Sequence, residues 1–132
     1  LHLVLDTSRG YPYFLQQYGE STWNAATGPI IRRDDARVGI AAGTHALDEG
    51  FFRSRWDRAT PAERDYMRAM ADDHGTPSSS SDVAHRLGRR PQSLGPTRAN
   101  LIRKGLIYAP DHGLIAFTVP TMDSFIRRQP TE

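Results

Sequence analysis

Seven polar side chains between positions 89 and 103 have the types and spacing needed to bind a nucleic acid. They are Arg89, Arg90, Gln92, Ser93, Thr97, Asn100 and Arg103. Arginine neutralises phosphate groups and can pair bidentately with guanine, while Gln and Asn side chains can pair with adenine. We therefore expect the three arginines to hold phosphates, and the Gln, Ser and Asn side chains to contact base edges.

Patterns that would indicate catalysis or metal binding are weak. Cysteine is absent, which excludes a disulfide framework, a thiolate metal site and a Cys nucleophile. The five histidines are scattered, and none has a partner at metal-ligand spacing. Asp34-Asp35 and Asp72-Asp73 are best explained as helix-end charges, and no Gly-x-x-x-x-Gly-Lys-Ser/Thr phosphate loop occurs. We expect neither enzyme activity nor a metal site in this chain.

A helix-turn-helix is predicted to carry the polar set. The serine run at 79–81 can accept hydrogen bonds from the free N–H groups of a first helical turn. An apolar stripe within residues 83–87 follows, and Gly88 suits the C-terminus of a short helix. A second, basic helix is expected to end at Lys104-Gly105.

Pro96 decides where that second helix begins. Proline cannot sit deep in a helix, and it biases the residue before it, Gly95, away from the α region. Either the helix starts at Pro96 after a looped approach over residues 90–95, or its first turn is distorted, and we expect the first of these. The residues expected to face the core are Leu94, Leu101 and Ile102.

A β-hairpin is predicted after this helix. Residues 106–108 and 114–118 alternate like strands, and Pro110-Asp111-His112-Gly113 between them has turn chemistry. Helix, turn, basic helix and hairpin in this order predict a winged helix-turn-helix over residues 59–132. In such a domain the second helix of the motif lies in the major groove. Asp111 at the wing tip counts against strong contact with the minor groove.

Two flanking helices should complete this domain. Thr60 and Glu63 can form a capping box with Pro61 in the first turn, so a helix is expected from there to Asp73. A final helix over residues 120–128 would return apolar side chains to the core. Residues 129–132 are expected to fray.

Residues 1–58 are predicted to form a helical subdomain. One helix is expected over 8–26 and another from Ala36 to about Arg55, weakened or broken at Gly50. The packing residues expected on the first are Tyr11, Phe14, Leu15, Tyr18 and Trp23. Those expected on the second are Val38, Ala41, Ala42, His45, Ala46 and Leu47.

The segment Gly10-Tyr11-Pro12-Tyr13-Phe14-Leu15-Gln16-Gln17-Tyr18-Gly19 resembles the helical lid of P-loop ATPases of the AAA+/STAND type. The junction over residues 51–64 and the stretches 93–98 and 101–108 are similar to the C-terminal part of bacterial AAA ATPases common in actinobacteria. The resemblance covers nearly the whole chain. It implies a lid remnant followed by a winged helix, with an upstream core that binds ATP and Mg²⁺ in a longer parent protein.

The same resemblance implies that Gly10, Tyr11 and Pro12 line the adenine side of the nucleotide in that parent. One position departs from the family pattern. Initiator-type lids carry a nucleotide-sensing Arg three residues after the Gly, where this sequence has Tyr13. We therefore expect no contact between this chain and the ATP phosphates, and no cofactor held by the chain itself.

We expect a mostly α-helical fold with a small β-hairpin wing, in a chain of 132 residues with a net charge of +2. The expected function is binding of double-stranded DNA in the cytoplasm. No apolar run reaches the roughly 20 residues of a membrane span, so no membrane contact is expected. One alternative is a winged helix that docks a protein partner, a neighbouring ATPase subunit or a second copy. Another is a freestanding transcription regulator, with residues 1–58 as a dimerisation or effector arm.

Overall fold

The fold is mostly α-helical with one small antiparallel sheet, as predicted. The computed structural model describes residues 2–28 and 30–131, so Leu1, Pro29 and Glu132 lie outside it. The chain divides into two compact units, Leu1–Ser54 (unit 1) and Arg55–Glu132 (unit 2). We expected the division after residue 58. Trp56 accounts for the difference, because its ring packs against Phe125 of unit 2, with centroids 6.4 Å apart.

The described residues of unit 1 include the helices α1 (His2–Ser8), α2 (Pro12–Ala25) and α3 (Arg33–Leu47). A π-helical turn at Asp48–Phe52 follows α3 and leads into α4 (Arg53–Asp57). The sequence predicted one helix over residues 8–26 and none before it. The chain instead turns between α1 and α2, because Arg9 and Gly10 both take positive φ angles, 55° and 69°, which no α-helix contains.

The contact between α2 and α3 is made through glycine. A Cβ atom on Gly39 would lie 2.3 Å from the Thr22 Cα, and one on Gly43 would lie 2.7 Å from the Tyr18 Cδ1. Beside this close approach, the Tyr18 hydroxyl and the Thr44 hydroxyl share a hydrogen bond of 2.8 Å. The absence of side chains at the two glycines is therefore what lets the helices meet.

This packing overturns the predicted inner face of α3. The buried residues of α3 are Ala36, Gly39, Gly43 and Leu47, so only Leu47 was predicted correctly. The exposed residues include Val38, Ala41, Ala42, His45 and Ala46. Apolar periodicity indicated the wrong side because the two glycines of the true face carry no hydrophobic signal. On α2, Phe14 and Tyr18 are buried as predicted, whereas Trp23 is 71% exposed.

An aromatic cluster closes the other end of unit 1. Phe51 and Phe52 come from the π-helical turn, and the Phe14 ring lies 5.2 Å and 5.4 Å from their respective centroids. Tyr11 meets Phe14 edge-on at 4.8 Å. Gly50 thus lies inside a widened helical turn that presents two adjacent phenylalanines to the cluster. We expected Gly50 either to weaken the helix or to break it, and the structure shows no break at this position.

Unit 2 begins within α4 and continues through helices and short strands. These are α5 (Pro61–Ala71), β1 (Ser78–Ser79), α6 (Ser80–Leu87), a 3₁₀ turn (Pro91–Leu94), α7 (Gly95–Arg103), β2 (Ile107–Tyr108), β3 (Leu114–Phe117) and α8 (Met122–Arg127). The sheet order is β1-β3-β2, with both pairs antiparallel. The β2–β3 hairpin was predicted. Strand β1 was not, because its two serines were interpreted only as a helix cap.

Helix caps set the start of α5 and both ends of α6 as the sequence predicted, although α5 ends at Ala71 rather than at Asp73. The Thr60 hydroxyl accepts from the Glu63 N–H at 3.2 Å, and the Glu63 carboxylate accepts from the Thr60 N–H at 3.0 Å. Ser79 accepts from the Asp82 N–H at the start of α6, and Gly88 ends that helix with a φ of 63°. The capping box fixes where α5 begins, and Ser79 and Gly88 fix where α6 begins and ends.

The core of unit 2 lies between α5, α6, α7, α8 and the sheet. Its fully buried side chains include Tyr66, Met67, Val83, Leu101, Ile107, Ile115, Phe125 and Ile126. We expected residues 129–132 to fray, but Gln129 and Pro130 are held, and Glu132 lies outside the described residues. The Arg68 guanidinium donates to the carbonyl of Gln129 at 3.2 Å and to that of Pro130 at 2.7 Å.

Candidate nucleic-acid interface

Helix α7 and the 3₁₀ turn before it carry most of the polar candidate set. α7 begins at Gly95, one residue before the predicted start, and Pro96 occupies its first turn. Gly95 itself is helical, with φ −52° and ψ −49°. Proline disfavours this conformation mainly through a clash with the preceding Cβ and N–H, and glycine has no Cβ. Where a looped approach to the helix was expected over residues 90–95, the chain forms a 3₁₀ turn at Pro91–Leu94.

The polar candidates differ in how accessible they are. Arg89, Arg90, Gln92, Ser93 and Arg103 are exposed, whereas Thr97 and Asn100 are half-buried. The Ser93 hydroxyl donates to the Arg90 carbonyl at 2.8 Å within the 3₁₀ turn, so its proton is already committed there. Because their side chains are exposed, Arg89, Arg90, Arg103 and Gln92 can contact a ligand. Ser93 can offer a ligand only its acceptor lone pairs, because its proton is already donated.

The outward face of α7 agrees with the prediction at Arg103 but not at Thr97 and Asn100, which are half-buried. Leu94 and Leu101 are buried as expected, but Ile102 is 37% exposed. Because successive residues turn by about 100° around an α-helix, Ala99 lies almost opposite the buried Leu101. Ala99 is exposed, and sequence reasoning missed it. The sequence did contain a signal for Ala99, because a residue two positions before a buried helical residue such as Leu101 lies on the opposite side of the helix.

The basic residues of unit 2 fall into a partnered and an unpartnered group. Lys104 contacts the Glu63 carboxylate at 2.6 Å and the Arg58 carbonyl at 2.9 Å. Arg86 forms a two-armed pair with Asp73, with both N–O distances at 2.8 Å. By contrast, the side chains of Arg89, Arg90 and Arg103 form no hydrogen bond or ion pair within residues 2–28 and 30–131. Within these residues, nothing neutralises the charge of the three arginines.

The two acidic side chains that pair with these basic residues, Glu63 and Asp73, are held in their charged forms. Burial pushes the pKa of Glu63 upward, but hydrogen bonds from Lys104 and Thr60 outweigh it and hold that pKa below its usual value. Hydrogen bonds from Arg86 lower the pKa of Asp73 in the same way. Both acids are consequently ionised at neutral pH, and their basic partners contribute little positive potential around α7.

The residues that the ATPase resemblance singled out lie in unit 1. Gly10 takes a φ of 69° in the turn before α2, Tyr11 is the N-cap residue of that helix, and Pro12 is its first residue. Tyr13 is 54% exposed, and its ring lies 4.8 Å from that of Phe51. Gly10, Tyr11 and Pro12 thus form the start of α2. They lie in unit 1, whereas the polar candidates for DNA binding between positions 89 and 103 lie in unit 2.

The described part of the chain contains no candidate metal site and no candidate membrane span. No three His, Asp or Glu side chains among those residues gather where they could hold a metal ion. None of the helices described is long and apolar enough to cross a bilayer.

Comparison with known proteins places the candidate interface within a family. A family model described as "Domain of unknown function (DUF8462)" matches residues 49–126. The chain belongs to this family. The DUF8462 match runs from the π-helical turn to α8, so it contains every DNA candidate, and residues 10–12 lie outside it. No curated protein and no solved structure matches the chain.

Proposed function

We propose that unit 2 is a winged helix-turn-helix that binds double-stranded DNA. In this proposal α7 lies in the major groove, α6 crosses the backbone beside it, and the β2–β3 hairpin is the wing. The order of elements supports this assignment, since a helix and a short strand precede the α6–turn–α7 pair and a hairpin follows it. The sheet order β1-β3-β2 joins the wing to the strand before α6.

The distribution of unpartnered arginines carries the proposal. Arg89 and Arg90 precede the 3₁₀ turn, and Arg103 lies at the last turn of α7, so free positive charge flanks both ends of the exposed helix. Lys104, next in the chain, is bound to Glu63 instead. A phosphate-binding surface needs unneutralised cations beside the groove-facing helix, and these three arginines supply them there.

The proposed contacts divide into positioning and base recognition. The three arginines would neutralise up to three phosphates, giving a slope of log K against log salt near −3, from about −0.9 per phosphate on duplex DNA. Gln92 is exposed at the N-terminal approach to α7 and would pair with a base edge, with Asn100 contributing from the helix flank. This limited set predicts moderate affinity with a shallow salt dependence.

Fluorescence anisotropy of labelled random duplex DNA, measured over a salt series, tests the proposal. Arg89→Ala with Arg90→Ala should weaken binding and reduce the salt slope by about 2. Arg32→Ala with Arg33→Ala is a matched control, because it removes two adjacent exposed arginines from unit 1. Equal loss in both double variants, or no binding at low salt, would contradict the assignment of α7 as the DNA-binding helix.

We further propose that the chain acts within a longer ATPase, with unit 1 as the helical lid and an upstream core that binds ATP and Mg²⁺. The lid-like segment at residues 10–19 supports this part of the proposal. Two measurements test this part of the proposal. The first is the length of the native protein purified from its source cells, and the second is its rate of ATP hydrolysis with and without DNA. A native product that begins at unit 1 would refute it.

A docking role is the second candidate function, because unit 2 also exposes apolar surface. Ile102 is 37% and Tyr108 48% exposed. A winged helix that binds protein would use such residues in place of the arginines. Sedimentation of the chain over a concentration series separates the two roles, since self-association that Tyr108→Ser abolishes would favour docking.

A further inference from the structure

The outward face of α7 carries apolar atoms where a DNA-reading helix would meet the bases. Ala99 is exposed at the centre of that face, and Ile102 is 37% exposed on its flank. Pro96 is exposed one turn before Ala99. The polar candidates lie at the ends of the face or, like Asn100, are half-buried on its other flank. The exposed centre of this face therefore offers a partner hydrocarbon, while the polar residues Thr97, Arg98 and Asn100 are half-buried elsewhere on the helix.

The major groove of DNA has one apolar feature of matching size. Thymine presents a C5-methyl group there, and apolar side chains contact it, while cytosine, adenine and guanine present only donors, acceptors and ring hydrogens. A small residue such as Ala99 lets the helix approach the base edges closely. A branched residue such as Ile102 then covers a methyl from the side. Thymine is thus the base whose major-groove edge complements this face.

We propose that Ala99 and Ile102 recognise thymine through its C5-methyl group, so that α7 prefers DNA with A·T pairs beneath its C-terminal half. This inference rests on the proposed DNA-binding function. It adds a basis for sequence preference that the unpartnered arginines cannot supply, because contacts to phosphate carry no direct sequence information.

Removing the methyl group from the DNA tests the inference without changing base pairing. The full chain is titrated against an alternating adenine–thymine duplex and the same duplex with uracil in place of thymine. We expect the uracil duplex to bind about fourfold more weakly for each methyl contacted, the value of burying one methylene-sized group. A guanine–cytosine duplex should bind more tightly when its cytosines carry a 5-methyl group, which occupies the equivalent place in the groove.

Variants tie any methyl preference to the residues named. Ile102→Ala keeps a helix-forming residue at an exposed position and should reduce the preference for thymine over uracil, and Ala99→Ser should do the same. Val38→Ala, which trims an apolar side chain that is 61% exposed on unit 1, is the control and should leave the preference unchanged.

Two failures of this experiment have different meanings. Equal affinity for the thymine and uracil duplexes, with binding intact, would overturn thymine recognition and leave the DNA-binding proposal standing. Absence of binding to every duplex at low salt would overturn both, and the apolar face of α7 would then be assigned to a protein partner.

Discussion

Replacing Gly39 by alanine should disrupt the contact between α2 and α3. The added Cβ atom would lie 2.3 Å from the Thr22 Cα and 2.5 Å from the Thr22 nitrogen. Carbon atoms in contact prefer a separation of about 3.5 to 4.0 Å, so the shortfall exceeds 1 Å for the carbon pair. Both neighbours are backbone atoms, which cannot rotate away. The two helices must therefore move apart along their whole contact.

The expected loss follows from two opposing effects. Alanine favours a helix over glycine by about 0.5 to 1 kcal/mol, which acts in favour of the variant. Overpacking a close contact costs about 1 to 3 kcal/mol, and a clash between backbone atoms belongs at the upper end of that range. We therefore expect Gly39→Ala to lower the free energy of unfolding by about 2 kcal/mol.

Urea denaturation followed by far-ultraviolet circular dichroism measures this difference, with Gly19→Ala as a matched control. Gly19 lies in α2, and a Cβ atom there would meet nothing within 4 Å. That variant should gain about 0.5 to 1 kcal/mol from helix propensity alone. If Gly39→Ala proved as stable as Gly19→Ala, the close approach of α2 and α3 would be refuted.

Two further predictions concern unit 2. The Lys104 and Thr60 hydrogen bonds hold the pKa of Glu63 below its usual value, so their stabilisation is present at neutral pH and is lost as the pH falls below about 5. Glu63→Gln should accordingly lower the free energy of unfolding at pH 7 by about 1 to 3 kcal/mol. It should also make that free energy fall less steeply as the pH is lowered. Urea titrations at several pH values measure both effects, and a pH profile like that of the unchanged chain would contradict the prediction. Arg86→Ala should cost about 1 to 2 kcal/mol, and Arg86→Lys should recover less than half of it, because an ammonium cannot reproduce the two-armed pair with Asp73. Full recovery by lysine in the same denaturation assay would show that charge alone matters at this position.

The sequence predicted those parts of the fold that depend on local backbone chemistry. Thr60, Ser79 and Gly88 act where the pattern placed them, because capping uses hydrogen bonds between residues a few positions apart. The hairpin was predicted for the same reason, since turn residues lie between its strands. Strand β1 was not, because its pairing with β3 joins Ser78 to Ile115, which no local pattern records.

The errors arose where burial depends on tertiary contact rather than on hydrophobicity. Gly39 and Gly43 are buried because α2 approaches them closely, and hydrophobic patterning instead selected Val38. In the candidate site, Ile102 was assigned to the core for its side chain, although its position on α7 places it near the surface. The arginines were predicted as candidates from residue type. That Lys104 is occupied by Glu63 could be learned only from the folded chain.

The Arg68 side chain has a consequence for how unit 2 could be rearranged. Its guanidinium lies 5.1 Å from the centroid of the Trp56 ring, and it also binds the carbonyls of Gln129 and Pro130. One side chain thus gathers the first and the last segments of the unit at the same place. Domains whose ends lie close together tolerate circular permutation and insertion into a host loop. Unit 2 is therefore suited to circular permutation. A short linker would join its two ends, and the new termini would lie at the exposed turn near His112.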